Sequence, residues 1–211
     1  MAPRCSHPVF ARFFAATAAR RETAGPAEQR REALAGLAGR VVEVGAGSGL
    51  NCAYYPSEVT EVVAVEPEPY LRAKARQAAA DAPGHVTVVD GAAEHLPLED
   101  GGFDAGVVSQ VLCSVPDQKS ALAELHRVLR PGGELRVYEH VRADNAKLAR
   151  LQDRADWIWP MLFGGCHPNR DTMAAIEAAG FGITEQRRFH FELAIIDRPV
   201  APHVIATVVR T

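Results

Sequence analysis

The chain has 211 residues, with 23 Lys and Arg against 26 Asp and Glu, a formal charge of −3, and 47% hydrophobic, 7% aromatic and 23% charged residues. That length suits one domain with a full core and excludes a second catalytic domain, since domains commonly take about 100–200 residues. The composition is globular, and the absence of a basic excess argues against nucleic acid as a partner.

Residues 7–20 place Val9, Phe10, Phe13, Phe14 and Thr17 at spacings of three and four, which predicts an amphipathic helix that needs a surface to cover. Pro26 suits a first helical turn, and a second helix runs past Leu34 and Leu37 to a stop at Gly39. The pattern then alternates. A strand at 41–44 leads through a glycine-rich turn into a helix, a strand at 62–65 leads into a helix at 67–80, and a third strand lies at 86–89. A fourth strand at 105–108 is followed by a helix at 118–129, with Leu122, Leu125 and Leu129 on one face, and Pro131-Gly132-Gly133 ends it before a fifth strand at 134–138. Near-continuous apolar strands imply a sheet covered on both faces. Residues 148–163 read as a helical lid rich in large apolar side chains. A helix then starts near 169–171 and ends at Gly180, and the runs 183–193 and 203–209 form an antiparallel hairpin at the sheet edge. The expected fold is a doubly wound α/β domain with seven mostly parallel strands, divided into an N-terminal helical lid (1–39), a core (40–141) and a second lid with the hairpin (142–211).

Glu43-Val44-Gly45-Ala46-Gly47-Ser48-Gly49 joins the first strand to the next helix, where glycines allow a tight turn and close approach of a ligand to the backbone. A dinucleotide fingerprint requires G-x-G-x-x-G, and here the third glycine comes one residue early. Glu43 would put a carboxylate at the mouth of the site, which suits an ammonium and a sulfonium better than a pyrophosphate and so favours S-adenosylmethionine. Glu66, ending the second strand, is placed to accept hydrogen bonds from ribose hydroxyls.

Together with Gly91-Ala92-Ala93-Glu94-His95-Leu96-Pro97, Phe103-Asp104 and Leu129-Arg130-Pro131-Gly132-Gly133, these blocks resemble the class I S-adenosylmethionine-dependent methyltransferases over residues 40–141. The resemblance implies that Glu43 and the turn Gly45, Ala46, Gly47 and Gly49 hold the methionine part, with Asn51 as an added contact or an exposed helix residue. It implies that Glu66 and Pro67 meet the ribose, that Ala93 and Glu94 lie beside the adenine, and that Gln110 faces the amino end of the cofactor, which leaves as S-adenosylhomocysteine. Many relatives have Asp where this chain has Ala92.

Methyl transfer from a sulfonium is an in-line displacement that needs alignment, exclusion of water and, for a protonated acceptor, removal of a proton. The tetrapeptide that base- and amide-modifying relatives carry after the fourth strand is replaced here by Ser109-Gln110-Val111-Leu112-Cys113-Ser114. Val111 to Val115, Glu139-His140-Val141, Trp157 to Cys166 and Pro202-His203 resemble animal methyltransferase-like proteins that methylate alkyl thiols, and bacterial homologues that cap small thiols. The resemblance implies a small, fairly apolar thiol as acceptor; O- or N-methylation of a quinone, polyketide or lipid precursor and non-catalytic cofactor binding are the alternatives. His140, ending the fifth strand at the ligand-binding edge, is the first candidate for base or orienting group, with His7 and His167 as second candidates. Phe10, Phe14, Trp157, Trp159 and Phe163 could cap the acceptor or simply pack in the core.

Cys5, Cys52, Cys113 and Cys166 are scattered without a CxxC pair or a histidine at ligand spacing, so no metal site and no disulfide framework is expected, and no cysteine is given a catalytic role. A reducing cytoplasm fits, as does a monomer or homodimer. The apolar stretch 9–19 is broken by Arg12 and is shorter than the roughly 20 residues that span a bilayer, so no stable membrane insertion is expected.

Overall fold

The computed structural model describes residues 10–13, 15–17 and 25–211. Residues 10–13 and 15–17 are helical; the rest of the predicted N-terminal helix, including His7 and Phe14, lies outside the described residues. The elements that follow are α1 (Pro26–Leu34), β1 (Gly39–Val44), a 3-10 turn (Leu50–Ala53), β2 (Val59–Val65), α2 (Pro69–Ala80), β3 (Val86–Val89), β4 (Phe103–Ser109) and α3 (Gln118–Val128). Then come β5 (Leu129–His140), α4 (Ala146–Ala155), α5 (Trp159–Leu162), α6 (Thr172–Ala178), β6 (Phe181–His190), a second 3-10 turn (Ile195–Val200) and β7 (Pro202–Arg210). One seven-stranded sheet has the order β3-β2-β1-β4-β5-β7-β6. The first five strands run parallel, and β7 runs antiparallel to both β5 and β6. The doubly wound α/β reading therefore holds, with the hairpin contributing one inner and one edge strand.

Alternation along the strands explains the two covered faces. Val42, Val44, Val63, Val65, Val108, Leu135 and Val137 pack with Leu122 and Leu125 of α3 and Met173 and Ile176 of α6. Val41, Val62, Ala64, Ala105 and Val107 point the other way, against Leu34 of α1, Leu37 and Ala75 of α2. Helix starts follow side-chain caps: Glu68 accepts from Leu71 N, Asp117 from Lys119 N and Ser120 N, Asn145 from Lys147 N and Leu148 N, and Asp171 from Ala174 N.

Several boundaries differ from the sequence expectation, four of them for a clear physical reason. α1 stops at Leu34 because Ala35 is already extended and Gly36 turns at φ +74°, so Gly39 opens β1 instead of ending the helix. The helix expected after the glycine turn is only the 3-10 segment Leu50–Ala53, cut short before Pro56, whose ring disfavours helical Tyr55. β5 begins at Leu129, opposite Phe103, and passes through Pro131-Gly132-Gly133 where the β4–β5 register shifts. The lid is two helices rather than one, because Pro160, which has no N–H to donate, sits in the first turn of α5 and starts a new helix. Among the described residues no helix is long and apolar enough to cross a membrane.

Candidate active site

The sheet order reverses between β1 and β4, and ligands of open α/β sheets bind at the carboxyl ends of the strands flanking such a point. The turn after β1 is fixed there by two bonds to Val65 O, from Gly45 N at 2.8 Å and Ala46 N at 3.1 Å. Gly45 has φ +73°, and a Cβ on it would lie 2.5 Å from Val111 Cγ2, so the turn can touch the β4 loop only with glycine at this position. Gly49 has φ +82°, and a Cβ there would meet Ala75 Cα at 3.0 Å, which accounts for the third glycine by its packing on α2.

Glu66 follows β2 and is 5% exposed. Its two oxygens accept from Gly47 N at 2.8 Å and Glu68 N at 2.9 Å, tying the turn to the end of β2. Burial pushes its carboxyl from 4.5 up to about 7, against the pull of those two backbone donors. Pro67 lies beside it, with its carbonyl accepting from Arg72.

Glu43 does not reach the mouth of the site. It shares the face of Val41, is buried, and accepts from Asn51 Nδ2 at 2.8 Å and Tyr55 OH at 2.7 Å. Burial raises its pKa, and Tyr55 and Asn51 pull it back. Asn51 is likewise buried rather than an exposed helix residue, and its Oδ1 accepts from Arg30, which also donates to Ser109 Oγ at 2.9 Å. The network pins α1 across the carboxyl ends of β1 and β4. Tyr55 and Arg30 had no sequence signal beyond their residue types. Ala93 is buried in the core, and Glu94 accepts from Asp117 N at 3.3 Å.

On the β4 and β5 side, Gln110 adopts φ +60°, its N–H donates to Tyr138 O at 2.7 Å, and its Nε2 lies 3.4 Å from His203 Nε2. His203 is paired opposite His140 in the β5–β7 ladder. Its ring sits 5.8 Å from Tyr138, 5.5 Å from Phe189, 6.2 Å from Phe191 and 6.4 Å from His140, which makes an aromatic wall at the strand ends. Burial pulls His203 down to about 4, so this ring is neutral near pH 7. Sequence reasoning quoted it only within the Pro202-His203 block and gave it no role, because a histidine opening a strand looks like any other.

His140 is buried, with Nε2 3.1 Å from Cys166 Sγ and Nδ1 without a partner. Cys113, His140 and Cys166 offer ligand atoms that all lie within 4.8 Å of one another. No spacing in the sequence announces this trio, which comes from the loop after β4, the end of β5 and the lid. The lid is held in place because His167 N donates to Cys113 O at 2.8 Å and Arg170 donates to Leu112 O and Val115 O, each at 2.7 Å. The ring of His167 is taken by Asp156 at 2.9 Å. Trp159 is buried and stacks on Phe163 at 4.2 Å, and Phe10 lies over Gly164. Trp157 points away and is 86% exposed.

Residues 42–137 match the methyltransferase-domain family. The human (Homo sapiens) thiol S-methyltransferase TMT1A is 32% identical over 184 residues, covering 84% of this chain and 74% of the human protein. The chain belongs to the S-adenosylmethionine-dependent methyltransferases. This methyltransferase is also 34% identical over 119 residues to the ubiquinone/menaquinone biosynthesis C-methyltransferase UbiE of Methylobacterium nodulans, covering 54% of this chain and 47% of that protein. In fold it is similar to an S-adenosylmethionine-dependent methyltransferase of Thermotoga maritima, with TM-score 0.70, 23% identity, and 96% and 99% of the two chains covered. Its cofactor is S-adenosylmethionine, and the glycine turn beside the Glu66 carboxylate fits that molecule, since a sugar diol can donate to a carboxylate already anchored by two N–H groups.

Proposed function

We propose that this methyltransferase moves the methyl group of S-adenosylmethionine to the sulfur of a small, fairly apolar thiol. The observation that carries the reading is the aromatic wall of Tyr138, Phe189, Phe191 and His203 beside the His140–Cys166 contact, at the strand ends next to the glycine turn. An apolar wall excludes water and favours an apolar acceptor. An ordinary thiol, with a pKa of about 8.5, needs far less help to ionise than an alcohol, and the groups gathered here are imidazoles and thiols beside the buried Glu139 carboxylate, whose Oε1 accepts from Val111 N and Leu112 N. Similarity to the human thiol S-methyltransferase supports the same acceptor class.

In this reading Glu66, with Pro67 beside it, receives the ribose diol, Gly45, Ala46, Gly47 and Gly49 cradle the methionine part, and Ala93 and Glu94 border the adenine. Gln110 turns its backbone toward the amino end, while Glu43 and Asn51 act from beneath the turn by holding it to Tyr55 and Arg30. His140 faces the acceptor, and Trp159, Phe163 and Phe10 form the cap. His167 braces the lid through Asp156. Transfer of label from methyl-labelled cofactor to a panel of thiols, phenols, amines and quinols tests the acceptor. Labelled alkyl thiols are expected, and labelling of phenols or quinol carbon with none of thiols would refute the reading.

A further inference from the structure

The trio of Cys113, His140 and Cys166 has more order than packing requires. Two thiols and one imidazole converge from three separate segments, with Cys113 and His140 buried and Cys166 partly open to solvent. Tetrahedral zinc with bonds of about 2.3 Å to sulfur and 2.0–2.1 Å to nitrogen holds two sulfurs about 3.8 Å apart and sulfur and nitrogen about 3.5 Å apart, so donors within 4.8 Å of one another need only small adjustments, with the 3.1 Å His140–Cys166 pair opening slightly. The cysteine segments are braced by hydrogen bonds: Cys113 O accepts from the N–H of His167, the residue after Cys166, and Arg170 clamps the carbonyls on either side of Cys113. Two cysteines and a histidine prefer soft or borderline cations over Mg2+ or Ca2+.

We propose that Cys113, His140 and Cys166 bind a thiophilic divalent cation, Zn2+ above all, with the fourth position open on the Cys166 side to the acceptor sulfur. The use made of that fourth position rests on the thiol reading above; the three-ligand site does not. On binding the cation Cys113 and Cys166 release their protons, and the cation's Lewis acidity makes an incoming thiol bind as thiolate and give its proton to solvent; the two protein thiolates offset the metal's charge and leave that sulfur nucleophilic. A lone pair of that sulfur forms the new S–CH3 bond as the sulfonium S–CH3 bond breaks, and the electron pair of the broken bond stays on the cofactor sulfur. The neutral thioether product is a weak ligand and leaves the metal. His140 is then a ligand rather than a base.

The test uses the full chain, reduced, stripped with a chelator and titrated with Co2+ and then Zn2+. One Co2+ per chain is expected, with thiolate-to-metal charge-transfer and tetrahedral d–d absorption that Zn2+ abolishes. Cys113→Ser and Cys166→Ser should each weaken binding at least 10-fold, whereas Cys52→Ser should not, and an alkyl thiol should shift the d–d bands of the wild type. Failure of the reduced wild type to bind Co2+, or binding untouched by both Cys→Ser changes, would overturn the site. Thiol turnover by protein that binds no Co2+ refutes this inference and leaves the proposed function standing. A Co2+ site in a protein that labels phenols alone supports the three-ligand site and refutes the thiol reading.

Discussion

Glu66 should make stability and cofactor affinity respond to pH in opposite directions. Its carboxyl titrates near 4.5 in an unfolded chain and about 7 in the fold, with burial as the leading cause. A raised folded-state value means that the stabilising contribution is complete below about pH 4.5 and is lost as pH rises through about 7. At 1.36 kcal/mol per unit, that shift corresponds to about 3 kcal/mol, with little solvent screening because the residue is only 5% exposed. Ribose hydroxyls donating to the carboxylate favour its charged form, so cofactor binding should tighten by up to about 10-fold per unit between pH 5.5 and 7 and release a proton. Urea unfolding of the free protein and of Glu66→Gln from pH 4.5 to 8 isolates the term. The amide cannot accept from both Gly47 N and Glu68 N, but that loss does not vary with pH. The wild-type advantage over Glu66→Gln should shrink by about 3 kcal/mol across the range, and calorimetry in two buffers of different ionisation enthalpy should register the released proton. Parallel stability curves, or cofactor affinity that is flat from pH 5.5 to 7.5, would refute the argument.

Two further outcomes follow from the geometry. Gly45→Ala forces a Cβ onto Val111 at φ +73°, which should cost about 1–3 kcal/mol and weaken cofactor binding at least 10-fold by calorimetry; adding Val111→Ala should recover only part, since the backbone strain remains. Gln152→Ala strips partners from Val141 O, Pro199 O and Ala143 N, all bonded to a fully buried amide, and should lower unfolding stability by about 3 kcal/mol or more in urea, so a loss under 1 kcal/mol would sink the claim that this amide ties α4 to the segment after β5 and to the second 3-10 turn.

The parallel half of the sheet was legible because its strands are short valine-rich runs between turn residues, and β3 falls at 86–89 as read. Boundaries failed where one backbone angle decided, at Gly36 rather than Gly39, or where proline acted at a distance, as Pro56 does on the segment after the glycine turn. The cofactor turn was readable as a linear motif. Glu43 was read as a ligand-facing charge because a motif shows adjacency but not which face of a strand a side chain takes; the faces of Val42 and Val44 send Glu43 toward Tyr55. The acceptor side was least legible, since His203 meets His140 only through antiparallel pairing and the cysteines join them from segments 27 and 26 residues away.

The position of β7 governs how the sheet can be assembled. β6 is made first but pairs with β7 alone, and β7 must slide between β6 and β5. On a ribosome adding about 5–20 residues per second, the β1–β4 portion can gather while β5 still presents an open edge. Until residues 202–210 emerge, that edge and an unpaired β6 are both available to other chains, a template for intermolecular pairing. Slow translation or stalling before β7 should therefore aggregate this methyltransferase through its acceptor-side strands, and a peptide spanning 202–210 supplied in trans should suppress that aggregation.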